Sequence, residues 1–152
     1  MSQAQLEDLV DDLDSAEVVD DREPAPATKR RKSKTSPVQR TLKYLRKEGC
    51  QLVAIVEKWN PYMNGDRGGR QDLFGIIDVV ATKDEQILAI QCCSTDVAGH
   101  IDKMVEATFK NPETKTECLV LAALFKANIK VFVHGWRKGS DGKYVLRQVE
   151  LS

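Results

Sequence analysis

Nowhere in the 152-residue chain does an apolar run approach the ~20 residues that a membrane span requires. The start, MSQAQLEDLVDDLD, is acidic where a secretory signal is basic and then apolar. Neither a membrane-embedded nor a secreted protein is expected, and no membrane partner. The four cysteines, Cys50, Cys92, Cys93 and Cys118, show no C-x-x-C spacing and no histidine at zinc-finger distance. That argues against a structural zinc site and for reduced, buried thiols in an intracellular protein. Net charge is lacking too, with 23 basic residues against 23 acidic ones, and there is no internal repeat.

The zero charge is a sum of unlike parts. Residues 1–23 carry nine acids and one base, residues 29–34 (KRRKSK) carry five bases, and residues 35–152 carry 17 bases and 14 acids. Residues 1–36 therefore read as a disordered acidic and basic arm, with little apolar surface to bury. A short amphipathic turn at Leu6–Leu13 is open as a partner-binding segment. KRRKSK fits a nuclear-import signal, a nucleic-acid arm or a solvated linker folding back on the acids, so nuclear location stands open beside cytoplasmic.

Residues 37–152 read as one α/β domain. Ser36-Pro37 looks like an N-cap with proline at the first helical position; Val38, Leu42 and Leu45 recur at helical spacing, and Gly49 is a stop. Cys50–Val56 reads as a strand, Asn60–Gly69 as a loop, and Leu73–Ala81 and Gln86–Cys93 as strands around a turn at Lys83–Glu85. Val97–Lys110 and Glu113–Lys126 read as helices, the first with Ile101, Met104, Val105 and Thr108 on one face. Ile129–Trp136 and Lys143–Leu151 read as closing strands around Gly139–Gly142. The order α-β-β-β-α-α-β-β predicts a central mixed β-sheet flanked by helices.

Asp78 stands inside an apolar strand, where an unpaired carboxylate would cost several kcal/mol, so it needs a partner or a cation. With Asp84 and Glu85 at the turn centre, Asp78 falls directly opposite Gln91, and period-two alternation puts Cys93 on the same face. Two polar side chains meeting on an apolar hairpin read either as a site or as a buried hydrogen bond that holds register.

The phrase R-Q-D-L-F-G-I-I-D-V-V-A, then I-Q-C-C-S, H-I-D-K-M and V-F-V-H-G-W-R-K, within a helix followed by three strands, resembles the PD-(D/E)XK nuclease superfamily. It is similar to archaeal Holliday-junction resolvases and to small phage and bacterial resolvase-like proteins, over about residues 37–150. The resemblance implies a restriction-endonuclease-like fold and a metal-dependent DNA endonuclease that hydrolyses phosphodiester bonds with Mg²⁺ or Mn²⁺. It implies Asp78 as the metal-binding acid on the second strand and Gln91 in the place of the glutamate. Cys93 departs from the pattern, standing where a lysine is expected, and a thiol does not replace an ammonium at a developing negative charge.

Some members carry that lysine on the following helix, which points to Lys103. Counted at 100° per residue from Ile101, however, Lys103 lies at about 200° and His100 at about 260°. Glu57, after the run LVAIV, completes the carboxylate set or pairs with Lys58 or Arg70. Gln39 sits roughly where resolvase-like members have a helical acid, and Asp72 reads as salt-bridged to Arg70. Arg67 and Arg70 in the Gly-rich loop, with Arg137 and Lys138 at a strand end beside Trp136, suit phosphate contacts. The implied partner is DNA, branched DNA included, with a homodimer as an open assembly and the cytoplasm, a host's for a phage protein, as its location. The alternative is a catalytically inactive nuclease-like fold that binds nucleic acid or a protein partner.

Overall fold

The computed structural model describes residues 35–65 and 67–152. The expected arm, with its Leu6–Leu13 segment and KRRKSK, lies outside the described residues as far as position 34. The first element starts where the capping chemistry puts it. Ser36 Oγ accepts the Gln39 N–H at 3.2 Å, and Pro37, with no N–H to leave unpaired, opens α1 (Pro37–Lys47). Val38, Leu42 and Leu45 form its buried stripe, Arg46 and Lys47 complement the carbonyl end, and Gly49 turns the chain at φ +82°.

There follow β1 (Leu52–Ile55), β2 (Lys58–Asn60), β3 (Gly69–Gln71), β4 (Val79–Lys83), β5 (Gln86–Cys93) and α2 (Val97–Glu106). The chain closes with β6 (Thr108–Lys110), β7 (Glu117–Leu119), α3 (Val120–Lys126), β8 (Lys130–Lys138) and β9 (Tyr144–Leu151). Five strands make one mixed sheet in the order β1-β4-β5-β8-β9, with β5 and β8 parallel and the other neighbours antiparallel. A parallel pair needs a long crossover, which α2, the β6–β7 ribbon and α3 supply.

One face of the sheet packs Val79, Ala81, Ile90, Cys92 and Phe132 against the stripe of α1. The other packs Ile76, Ile77, Ala89, Val131 and Val133 against Val97 and Met104 of α2 and Val120 and Leu124 of α3. The architecture is α/β, a mixed sheet between helices, as the element order predicts. The β4–β5 turn is centred on Asp84 (φ +50°) and Glu85 (φ +62°), the left-handed pair that a two-residue hairpin demands, and Lys83 faces Gln86. Val79 therefore faces Ile90, and Asp78 comes opposite Gln91.

Four segments differ from the sequence expectation. Asn60–Gly69 is strand only at its two end residues, which belong to a ribbon, β2 paired with β3, that the sequence expectation lacks. Leu73–Ala81 is not one strand: Phe74 (φ +54°) and Gly75 (φ +77°) turn the chain, the Ile77 N–H returns to the Leu73 carbonyl, and β4 starts only at Val79. The helix from Val97 stops at Glu106 rather than Lys110, and Val105 is exposed. Glu113–Lys126 is helical only from Val120. There Asn111 Oδ1 accepts the N–H groups of Glu113 and Thr114 at 2.8 and 3.1 Å, and this local turn, with Pro112 inside it, outcompetes a helix start. Among the described residues no helix is long and apolar enough to cross a membrane.

Candidate metal centre

Asp78 sits where β4 begins, and its register neighbours across the sheet are Val56, Gln91, Val133 and Val149. Its own N–H still joins the ladder, to the Ile90 carbonyl at 3.0 Å, but the chain before it turns away. The Cys92 N–H, beyond the end of the β4 ladder, is taken instead by Asp78 Oδ2 at 2.7 Å. Gln91 Nε2 donates to the same oxygen at 2.8 Å. Asp78 and Gln91 are 5% and 4% exposed, so the acid is both buried and held by two donors.

Two more carboxylates reach it, each through a local device. The Phe74-Gly75 turn folds the chain back, so that Asp72 returns beside Asp78. Glu57 comes from the other strand of the ribbon: β2 pairs Lys58 with Gln71, which sets Glu57 and Asp72 opposite each other at the ribbon's neck. Glu57, Asp72 and Asp78 offer carboxylate oxygens that all lie within 4.8 Å of one another. Like charges facing across a strand pair repel, and the one ion pair given to the cluster among the described residues is Arg70 Nη1 to Glu57 Oε1 at 3.0 Å.

The electrostatic result is a carboxyl that resists ionisation. Burial pushes the Asp78 pKa up to about 7; the Cys92 N–H works against the rise, and Asp72 and then Glu57 add to it. No family model, no curated protein and no solved structure matches this chain. The chemistry therefore rests on these residues alone. Three hard oxygen donors, one paired with Arg70 and one that holds its proton up to about pH 7, form a set that, once that proton is lost, suits Mg²⁺ or Mn²⁺ rather than a softer metal.

The other expected residues fall in different places. Cys93 is buried on the Asp78 face, and burial first, then Asp96 and Asp78, hold its thiol above the ordinary range, so it supplies no charge. Lys103 is exposed on α2 beside the fully buried Met104, and His100 is half-buried. Gln39 is exposed on α1, the helix that covers the opposite sheet face. Arg67 and Arg70 are exposed on the ribbon. Arg137 and Lys138 are exposed at the end of β8, four and five residues past Val133, or about 13 Å or more along the strand.

Trp136 is a core-edge residue, its Nε1 donating to Thr41 Oγ1 at 2.9 Å. Thr41 Oγ1 also meets His134 Nδ1 at 3.3 Å, and burial lowers the His134 pKa to about 4. A cavity of about 260 Å³ adjoins this cluster, with Tyr44, Phe132, His134 and Gln148 in its wall and none of the three clustered carboxylates.

Asp72, which its spacing from Arg70 suggests as that residue's salt-bridge partner, belongs to the site instead, and the arginine pairs with Glu57. A signal was there. Asn64-Gly65, both at positive φ, stands midway between Glu57 and Asp72, and Asn-Gly is the strongest short-range hairpin mark.

Proposed function

We propose that this chain is a metal-dependent DNA endonuclease of restriction-endonuclease-like fold, resolvase-like, hydrolysing phosphodiester bonds. The observation that carries the reading is the convergence of Glu57, Asp72 and Asp78 within 4.8 Å at the neck of a ribbon bearing Arg67 and Arg70. Three carboxylates this close, one of them buried, offer a cation its ligands in exchange for the proton that Asp78 holds up to about pH 7. Glu57, Asp72 and Asp78 would hold Mg²⁺ or Mn²⁺, which when bound polarises a phosphate oxygen and lowers the pKa of a coordinated water.

The chain's own residues do the rest. Gln91 and the Cys92 N–H fix the Asp78 carboxylate, so Gln91 acts as a positioning residue through its amide, and Asp72 takes the ligand place first given to Gln91. Arg70 offsets part of the cluster's charge through Glu57; being 64% exposed, its side chain is free to turn a second guanidinium edge to a phosphate.

The test is incubation with supercoiled plasmid, linear duplex and a four-way junction, with Mg²⁺ or Mn²⁺ and with EDTA. Cleavage is expected only with metal and is lost in Asp78→Asn and Asp72→Asn. Absence of cleavage on every substrate overturns the reading. The neutral Cys93 in the place of the lysine, with Lys103 exposed, favours as second reading a fold that binds DNA without cutting it. Salt-dependent binding without cleavage would select that one.

A further inference from the structure

The ribbon that carries Glu57 and Asp72 also carries two of the chain's most exposed aromatic side chains, Trp59 at 63% and Tyr62 at 84%. Exposed aromatics at a mobile tip would mean little, but Trp59 is positioned. A Cβ at Gly68 would overlap the indole ring, so the ring lies against the bare α-carbon of Gly68, which also holds φ +74°. One part of the indole is thus seated on backbone, and most of the residue stays open to solvent. Trp59 faces Arg70 directly in the ribbon register, and Arg70 reaches Glu57 at 3.0 Å. The indole is therefore two residues, about 7 Å of strand, from the carboxylate cluster. Arg67 and Arg70 are exposed on the same ribbon, while Lys58, next to Trp59 in β2, is exposed on its other face.

A fixed aromatic face among exposed cations, next to a candidate phosphodiester-cleaving centre, selects the partner by chemistry. The cations call for a polyanion, and the open ring calls for a planar apolar face. Bases in a duplex are already stacked on each other, whereas unpaired bases offer that face and stack on aromatic side chains irrespective of sequence. We propose that the β2–β3 ribbon is a stacking platform for unpaired DNA bases, with Trp59 and Tyr62 receiving the bases and Arg67 and Arg70 the phosphates. This deepens the nuclease reading, on which it rests, by naming its substrate class as DNA with unpaired nucleotides next to the scissile bond.

The experiment uses the full chain in EDTA, so that cleavage does not interfere. A labelled oligo(dT) and a duplex of equal length are titrated, with anisotropy for affinity and tryptophan emission for stacking. Single-strand binding is expected to quench emission in the wild type. Trp59→Ala should lose that quenching and weaken single-strand binding by about 5- to 150-fold, the span of one lost base stack. Tyr62→Ala should weaken it less, and Trp59→Phe should restore most of the affinity while leaving duplex binding unchanged. Because Trp59 is mostly exposed, all three variants should keep the wild-type circular dichroism.

Single-strand binding in Trp59→Ala equal to the wild type, or wild-type emission that does not respond to oligo(dT), overturns the platform, as does a preference for the duplex. The two readings fail separately. Quenched binding without cleavage when Mg²⁺ is restored overturns the nuclease and keeps the platform; cleavage by Trp59→Ala at full rate and affinity does the reverse.

Discussion

Gln91 donates its side-chain amide to Asp78 Oδ2 at 2.8 Å, and the same oxygen takes the Cys92 N–H at 2.7 Å. This geometry separates two substitutions of Asp78. In Asp78→Asn the remaining carbonyl oxygen still accepts both donors, while repulsion from Asp72 and Glu57 disappears, so unfolding stability should hold or rise. Asp78→Ala leaves two buried donors unpaired, at a cost of about 1–3 kcal/mol each. Denaturant midpoints of the two variants check this; an Asn variant as unstable as the Ala variant would make Asp78 a purely structural acid.

Metal binding should be steeply pH-dependent. The Asp78 carboxyl, raised by burial to about 7, must lose its proton before it can ligate. Mn²⁺ affinity measured by calorimetry should increase as pH rises through about 7 and level off above it, with a proton released on binding below that pH. Asp72→Asn should lower the affinity at high pH and also lower the Asp78 pKa, since Asp72 is one of the groups that raise it. An affinity that does not change between pH 6 and 8, a window set around that raised value, would take Asp78 out of the ligand set.

Without metal, two buried groups pull stability in opposite directions. The Asp78 carboxyl is raised from 3.8 to about 7, so the folded state binds the proton more tightly, and its contribution is lost as pH rises from about 4 to about 7. His134 is lowered by burial from 6.5 to about 4, so the folded state resists the proton, and its contribution is lost as pH falls through that window. Wild-type stability in EDTA should therefore be nearly flat where the two windows overlap and should decline toward pH 7. Asp78→Asn should instead gain stability with pH until His134 is neutral in both states. Subtracting the two curves isolates the Asp78 effect; a difference that shrinks as pH rises would contradict the burial of this carboxyl.

The legible parts of this protein are those where one local interaction decides. Ser36-Pro37 specifies a helix start by capping, and a two-residue turn at Asp84-Glu85 fixes the register that places Asp78 against Gln91. Where two local rules compete, the pattern misleads. Leu73-Phe74-Gly75-Ile76-Ile77 has the apolar content of a buried strand, yet the left-handed Phe74 and Gly75 turn it back, and that turn delivers Asp72 to the site. Asn111 similarly breaks what the apolar spacing around Leu119 and Leu124 suggests as a long helix. Glu57 is expected in the carboxylate set from its place after the run LVAIV, whereas its pairing with Asp72 depends on a strand pairing that only the Asn64-Gly65 mark signals. The lysine expected on α2 is a different case: the helical count already sets Lys103 away from the apolar stripe, and the structure leaves it exposed.

Arg70 and Lys103 should accordingly behave differently when removed. Lys103→Ala deletes an exposed side chain that makes no hydrogen bond or ion pair among the described residues, so stability, metal affinity and cleavage should match the wild type. Arg70→Ala also costs little stability, about 0–1 kcal/mol, because the guanidinium is 64% exposed and such pairs are screened. Yet it removes the cation paired with Glu57 and leaves that acid opposed to Asp72 with no ion-pair partner among the described residues. Mn²⁺ affinity should then rise, since the metal becomes the cluster's sole counter-charge, while cleavage falls because a phosphate contact is gone. Measuring affinity by calorimetry and cleavage on the same preparation separates the two effects. If cleavage and affinity fell together in Arg70→Ala, Arg70 would be supporting the ligands rather than the phosphate; loss of cleavage in Lys103→Ala would return the catalytic cation to α2.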